Sequence, residues 1–371
     1  MIFRLSRLFR LPLALMNGVA AVGGYCLFPA PRNGWTMLIA CGGVTLLTMG
    51  GTALNQVLDR DIDALMSRTR LRPLPRSEMT PAVATAIGCG VIMAGSALLF
   101  TAGGLVPVLL GMAALAWYLA VYTPLKRRTP LALLLGALCG AVPPLVGWNL
   151  AGGDPTDFRI ITLAGLFFVW QIPHFWLLQK RHADDYRRAG IPLFAIRPGL
   201  FGLWLVALTA TALMLPVFGI IGNHAAYWYG SSLILLLAMG LIRCERPLFP
   251  YLNLFPVLVT LTLLIQGCSQ DESRKDAVAP SASTTAAQGA SRDGEALFRQ
   301  YCAACHPDGG NVSDPQRTLY GSVLKKNHIS TPDDIVRIMR KPLSRMIRFD
   351  PSVLSDRDAR LIAEYVLKTF R

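Results

Sequence analysis

Two stretches of the chain carry side chains suited to a phosphate and a divalent cation. Asn55, Asp59 and Asp63 are spaced i, i+4 and i+8, so on a helix they form one stripe, with Asp61 turned roughly the other way. A pair of carboxylates one turn apart suits Mg²⁺ carried on a substrate phosphate; a solvated helix end could carry the same residues without chemistry. Arg68, Arg70, Arg72 and Arg76 follow at once, and Lys126, Arg127 and Arg128 form a second cluster. Arginine forks and a lysine point charge are the usual partners of phosphate oxygens. The combination predicts a diphosphate held through Mg²⁺.

A third stretch, Trp170-Gln171-Ile172-Pro173-His174, precedes Asp184 and Asp185. If one helix persists, His174 and Asp185 share a face about 16 Å apart, Asp185 at the mouth and His174 deeper. Pro173 is expected to loosen that helix, which is tolerated where backbone lines a cavity. A packing role is the competing reading of His174. Far downstream, Cys302-Ala303-Ala304-Cys305-His306 has the spacing of c-type haem attachment, two thiols for the vinyl groups and a histidine for iron. A C-x-x-C redox pair is the alternative, and the adjacent His306 counts against it.

The elements that must position these residues are apolar. The 371 residues are 53% hydrophobic and only 16% charged, against roughly 25% charged in soluble domains, which predicts a polytopic membrane protein. The charges divide near Cys268: residues 1–267 hold 20 Lys+Arg and 9 Asp+Glu, whereas residues 268–371 hold 16 and 13. Nine apolar windows long enough to cross a bilayer as helices fall near 12–30, 36–57, 82–101, 105–122, 131–150, 159–178, 200–221, 226–242 and 250–267. The N-terminus and the loops after spans 2, 4, 6 and 8 carry 18 basic residues, and the opposite loops carry only Arg32 and Arg159. Basic loops stay cytoplasmic, which predicts a cytoplasmic N-terminus and, after nine crossings, an external tail. Charge in short loops between spans argues against nucleic acid as a partner. Residues 269–292 read as a flexible tether reaching about 27 Å. Cys26, Cys41, Cys89, Cys139 and Cys244 read as small packing residues.

The segment from Asn55 to Asp63, with Met66, Arg68-Thr69 and Arg72-Pro73, resembles the first motif of the UbiA-type intramembrane prenyltransferases, in the version of the protohaem IX farnesyltransferases (haem O synthases). Lys126-Arg127, the Gly136 to Trp148 stretch with Pro143-Pro144, Trp170 to Phe175, and Asp185-Tyr186 to Pro192 are similar too. The resemblance implies an all-α fold, a nine-helix transmembrane bundle, with Mg²⁺ and farnesyl diphosphate at its cytoplasmic mouth and haem b as acceptor. By motif position Asn55, Asp59, Asp63 and Asp185 would hold Mg²⁺-diphosphate, clamped by Arg68, Arg72, Lys126 and Arg127; His174 would touch the porphyrin or its iron. There are departures: Asp184 and Asp185 are adjacent where many relatives space two aspartates, Leu131 and Ala132 replace polar residues, and Arg10-Leu11-Pro12 stands where Lys-Pro is common.

The tail resembles small class I cytochromes c. Gly294 to Tyr301 would be the opening helix, Ser344 to Phe349 the methionine loop and Leu354 to Val366 the closing helix. This implies one covalent haem c on Cys302 and Cys305, its iron held by His306 and Met346, with Met339 and His328 as alternatives to Met346. The expected organisation is a membrane domain over 1–267, a linker over 268–291 and a periplasmic cytochrome over 292–371, in a bacterial inner membrane. Leu264-Ile265-Gln266-Gly267-Cys268 resembles a bacterial lipobox, which makes Cys268 a candidate for cleavage and acylation. Three functions compete: haem b farnesyl transfer with a fused cytochrome, prenyl transfer to an aromatic or quinone precursor, and an anchored electron-transfer cytochrome. Expected partners are the bilayer, a terminal oxidase or its assembly factors, and a periplasmic redox protein.

Overall fold

An apolar segment in lipid must satisfy its backbone internally, which leaves helices for runs of this length. The computed structural model describes residues 2–28, 32–195, 197–222, 230, 232, 233, 236, 245–278, 294–303, 305–311, 316–342, 346, 349, 351 and 354–370. Among the described residues all regular structure is helical, in two units, Met1–Ala279 and Pro280–Arg371.

The first unit opens with α1 (Ile2–Phe9), α2 (Leu11–Leu27) and α3 (Gly34–Leu58), then the single turn and a half of α4 (Arg60–Leu65). It continues with α5 (Pro81–Gly103), α6 (Leu105–Leu125), α7 (Ala132–Leu150), α8 (Phe158–Arg181), α9 (Ala183–Arg188), α10 (Pro198–Val217) and α11 (Glu245–Val278). Start signals are local: the Asn33 side chain accepts from the Trp35 and Thr36 amides, Thr80 caps α5 and Asp157 caps α8. Among the described residues seven helices are long and apolar enough to cross a membrane: α3, α5, α6, α7, α8, α10 and Leu248–Gly267 within α11. The expected first span is the shorter α2, and most of the expected span over 226–242 lies outside the described residues. The protein is therefore a multi-pass membrane protein. The apolar side chains Met93 and Phe100 of α5 and Leu105, Val106 and Leu109 of α6 are exposed, as lipid-facing surfaces are.

Three local expectations change. The stretch expected as a tether begins as helix, because α11 runs on to Val278; residues 268–278 contain no Gly or Pro, and Pro280 follows. The helix through His174 does not persist to Asp185: it ends at His182 (φ −120°, ψ 28°), whose amide is shared by the Leu178 and Gln179 carbonyls, and α9 starts afresh. At Pro173, by contrast, α8 continues unbroken.

Close approach of helices depends on small residues, as is usual where lipid offers no hydrophobic drive to pack. A Cβ at Gly50 of α3 would lie 2.6 Å from the Gly88 carbonyl of α5, and one at Gly95 would lie 2.9 Å from the Gly43 carbonyl. These contacts bring α3, whose last turn carries Asn55, against α5.

The second unit has α12 (Gly294–Tyr301), a 3₁₀ turn at Pro307–Gly309, α13 (Gly321–Lys326), α14 (Pro332–Arg340) and α15 (Asp356–Thr369). Thr331 and Asp334 form a capping box at α14, and the Ser355 side chain caps α15. α12 crosses α15, with Phe298 5.4 Å from both Tyr365 and Phe370 between ring centres.

Gly50→Leu should overpack the α3–α5 contact at a cost of about 1–3 kcal/mol, lowering the thermal midpoint of the detergent-solubilised protein. An unchanged midpoint would show that these helices do not meet through this pair.

Candidate functional site

The ends of α3, α6 and α8, with α4 and α9, meet around the 66–80 loop. α3 stops at Leu58, and Asp59 is a non-helical hinge (φ −100°, ψ 7°) before α4. The predicted stripe survives the hinge, since the Asp63 amide still donates to the Asp59 carbonyl at 2.8 Å. Asp59, Asp63 and Asp185 are only 2%, 4% and 3% exposed. Such burial is costly unless every charge is matched.

Each charge is matched. Asp59 accepts from Asn55 Nδ2 at 2.9 Å, pairs with Lys126 Nζ, and receives Arg127 Nη2 at 3.3 Å. Asn55 Nδ2 also donates to Thr123 Oγ1 at 3.0 Å, tying α3 to the end of α6. Asp63 pairs with Arg72 at 2.6 Å. Arg127 makes its closer pair with Asp61, at 2.7 and 2.8 Å, and that hydrogen-bonded guanidinium holds the Asp61 carboxyl below its ordinary range. Asp185 accepts from Ser67 N and Oγ at 2.9 and 2.7 Å and from the Arg68 amide at 3.2 Å, and pairs with Arg188. Burial alone would raise the Asp185 carboxyl; these donors, Ser67 first, outweigh it and hold it far below the usual carboxylate value.

The sequence-predicted residues Asn55, Asp59, Asp63, Asp185, Arg72, Lys126 and Arg127 thus share one network. Arg68 joins it through its backbone amide, while its exposed side chain has no hydrogen-bond partner among the described residues. His174 is held apart from it, stacked between Trp170 at 5.0 Å and Phe249 at 5.8 Å, with its Nδ1 buried and without a hydrogen-bond partner. Among the described residues no three His, Cys, Asp or Glu side chains converge on one point. The hard oxygens of Asp59 and Asp63 suit Mg²⁺, and the cations now on them are groups that a phosphate would draw away.

Sequence reasoning missed Ser67 and Thr123, because nothing in the pattern marks which hydroxyl a buried carboxylate or amide will find. It also missed a π turn at Trp117–Tyr122, which stacks Tyr118 on Tyr122 at 5.7 Å above Lys126. Such turns gather at functional sites.

In the second unit, the turn after α12 sets Cys302 and Cys305 close together, with His306 N donating to the Cys302 carbonyl at 2.8 Å. Both thiols are free, Cys302 buried and Cys305 exposed. Burial pushes the Cys302 thiol up to about 12. His306 Nδ1 lies 2.8 Å from the Gly310 carbonyl; a proton on Nδ1 leaves Nε2 as the metal-facing lone pair. Met339 is buried and Met346 half-buried in the same cluster as Cys302, whereas His328 is exposed. Arg340 donates to the Phe349 and Leu354 carbonyls at 3.0 and 2.8 Å, fixing the segment after Met346 to the end of α14. The paired thiols, oriented imidazole and nearby thioether fit a covalent haem.

The family model described as the UbiA prenyltransferase family matches residues 17–247. A protoheme IX farnesyltransferase of Geobacter sulfurreducens is 57% identical over 265 residues, covering 70% of this chain and 97% of its own. The chain belongs to the UbiA prenyltransferase family. Two solved UbiA homologs share the fold: one from Aeropyrum pernix K1 (TM-score 0.55, 21% identity, 69% of this chain and 98% of its own). The other, from Archaeoglobus fulgidus and bound to GPP and Mg²⁺, has TM-score 0.52 at 14% identity and covers 72% of this chain and 99% of its own. The model described as cytochrome C oxidase, cbb3-type, subunit III matches residues 289–366. A prenyltransferase unit is therefore followed by a cytochrome c domain, and the carboxylate network lies in the UbiA part.

A carboxyl depressed in the folded state stabilises above its unfolded value of about 4, and that stability is lost only as pH falls through the folded value. Asp185→Asn should lower the thermal midpoint of the prenyltransferase unit equally at about pH 8 and about pH 5. An effect that vanishes at the lower pH would contradict the pairing.

Proposed function

We propose that the first unit transfers a farnesyl group from farnesyl diphosphate to a vinyl group of haem b, making haem O. The observation that carries this reading is the buried Asp59–Asp63 network with its Lys126 and Arg72 partners, in a chain 57% identical to a protein named protoheme IX farnesyltransferase. That the A. fulgidus homolog of the same fold is bound to GPP and Mg²⁺ supports a prenyl diphosphate and a metal as ligands.

In this reading Asn55, Asp59, Asp63 and Asp185 would hold Mg²⁺-diphosphate, and the ion would supply Lewis acidity to the leaving group. Arg68, Arg72, Lys126 and Arg127 take its oxygens. Asp185 completes the mouth by clamping Ser67 and Arg68, so that the cationic loop is already ordered. The farnesyl C–O bond breaks with its electron pair leaving on diphosphate, where positive charge is fixed in advance. The vinyl π electrons form the new C–C bond to the allylic carbon; water adds at the porphyrin-side carbon and loses a proton, giving the hydroxyethylfarnesyl group. The apolar bundle keeps water from the first cation. His174, with its unpartnered Nδ1, contacts the porphyrin or its iron.

The bundle crosses the bacterial inner membrane nine times, with the N-terminus and mouth cytoplasmic, as the basic loops support. Residues 292–371 form a periplasmic cytochrome with one haem c on Cys302 and Cys305 and iron ligands His306 and Met346. It exchanges electrons with a redox protein on that face, such as a terminal oxidase. Cys268 is a candidate for cleavage and acylation, the alternative being an interfacial cysteine on an uncut helix; intact-mass measurement returning only the uncleaved chain would sink the processing.

In membranes supplied with farnesyl diphosphate and haem b, Asp59→Ala with Asp63→Ala should cut haem O formation by at least about 100-fold while the c-type spectrum persists. Cys302→Ala should do the reverse. Haem O formed at the wild-type rate by the double variant would overturn the site assignment.

A further inference from the structure

A further cation at the mouth, Arg10, stands outside the network above. Arg10 joins α1 to α2 in a left-handed conformation, φ 46° and ψ 51°. For a residue with a Cβ this conformation is strained and persists only where the surroundings over-determine it. They do so here. Thr52 Oγ1 donates to the Phe9 carbonyl at 2.9 Å, and Gln56 Nε2 donates to the Leu8 and Arg7 carbonyls at 2.6 and 3.0 Å. On the other side, the Leu13 and Ala14 amides donate to the Arg10 carbonyl at 2.9 and 3.2 Å. Thr52 and Gln56 belong to the last two turns of α3, immediately before Asp59, so the fold pins Arg10 beside the carboxylate site.

The side chain serves no local purpose. It makes no capping hydrogen bond to α2, and among the described residues no carboxylate pairs with it. Its charged and phenolic neighbours are Arg68, Arg72, Tyr118, Tyr122 and Tyr186, none of them an anion at neutral pH. Asp59, Asp61, Asp63 and Asp185 are all committed elsewhere, to Lys126, Arg127, Arg72 and Arg188. Burial above all, and then the Arg72 and Arg68 charges, depress the Arg10 guanidinium against the opposing phenols. Arg10 and Arg68 are neighbours, and among the described residues neither side chain pairs with a carboxylate. A half-buried fork in such a place is matched by an incoming anion whose oxygens it can take two at a time.

We propose that Arg10 is a further ligand of the diphosphate group, taking its oxygens from the α1–α2 side while Arg68, Arg72 and Lys126 take them from the other. The proposal rests on the reading of the mouth as a diphosphate site. It gives the left-handed joint a purpose, since the turn at Arg10 is what aims the side chain between the 66–80 loop and the tyrosines of α6.

The test is calorimetric titration of the purified full-length protein with Mg²⁺ plus inorganic pyrophosphate, and with Mg²⁺ plus farnesyl diphosphate, paired with steady-state kinetics. Arg10→Gln should weaken both bindings about 10- to 100-fold and raise the farnesyl diphosphate KM to match, leaving the haem b KM unchanged. Arg10→Lys should recover part of the affinity. Arg10→Met, which keeps the apolar stem, replaces the Gln variant if that does not fold. Wild-type affinity in Arg10→Gln or Arg10→Met, alongside lost binding in Lys126→Gln, would overturn the role of Arg10 alone. Failure of the wild-type protein to bind either diphosphate would overturn the mouth assignment itself.

Discussion

The pairing of Asp59 with Lys126 is the contact on which the rest of the mouth depends. Asp59 sits where α3 gives way to α4, Lys126 where α6 ends, and their ion pair, braced by Asn55 and Thr123, joins helices that are distant in sequence. A carboxylate so buried has no place at the end of an apolar helix unless a cation comes to meet it. The same demand recurs at Asp63 with Arg72 and at Asp185 with Ser67, Arg68 and Arg188. Neutralising these charges is what folds the 66–80 loop over the helix ends. The cations so gathered are also the groups a diphosphate requires.

Much of this was legible in the sequence because the membrane restricts the choices. Apolar runs long enough to span had to be helices, and among the described residues seven of them are. The i, i+4, i+8 spacing of Asn55, Asp59 and Asp63 held through the hinge because one helical hydrogen bond bridges it. The Cys302-to-His306 motif forms a turn with the imidazole oriented, since five consecutive residues carry their own geometry. Partner choice was not legible. That Arg127 closes on Asp61, or that Asp185 clamps Ser67, depends on how loops separated by more than 60 residues meet. The break at His182 was missed for a related reason: nothing in its residue type ends a helix, and only the geometry of its shared hydrogen bonds does.

The two units solve different problems with the same economy of means. In the prenyltransferase unit, charge is placed at helix ends while glycines such as Gly50 and Gly95 let helices approach. In the cytochrome domain, an aromatic cluster of Phe298, Tyr365 and Phe370 locks two helices, the Gly310 carbonyl orients the His306 ring, and Arg340 holds the segment after Met346. Joined in one chain, haem b modification and a c-type haem would be present in fixed proportion.

That this chain makes haem O is our proposal. Its most direct measurement is expression in a bacterial host lacking its own haem O synthase, followed by chromatographic separation of the extracted non-covalent haems. A farnesylated haem eluting later than haem b is expected with the wild-type chain and not with the empty vector. A profile containing haem b alone, from cells in which the full-length protein is present and carries its c-type spectrum, would contradict it.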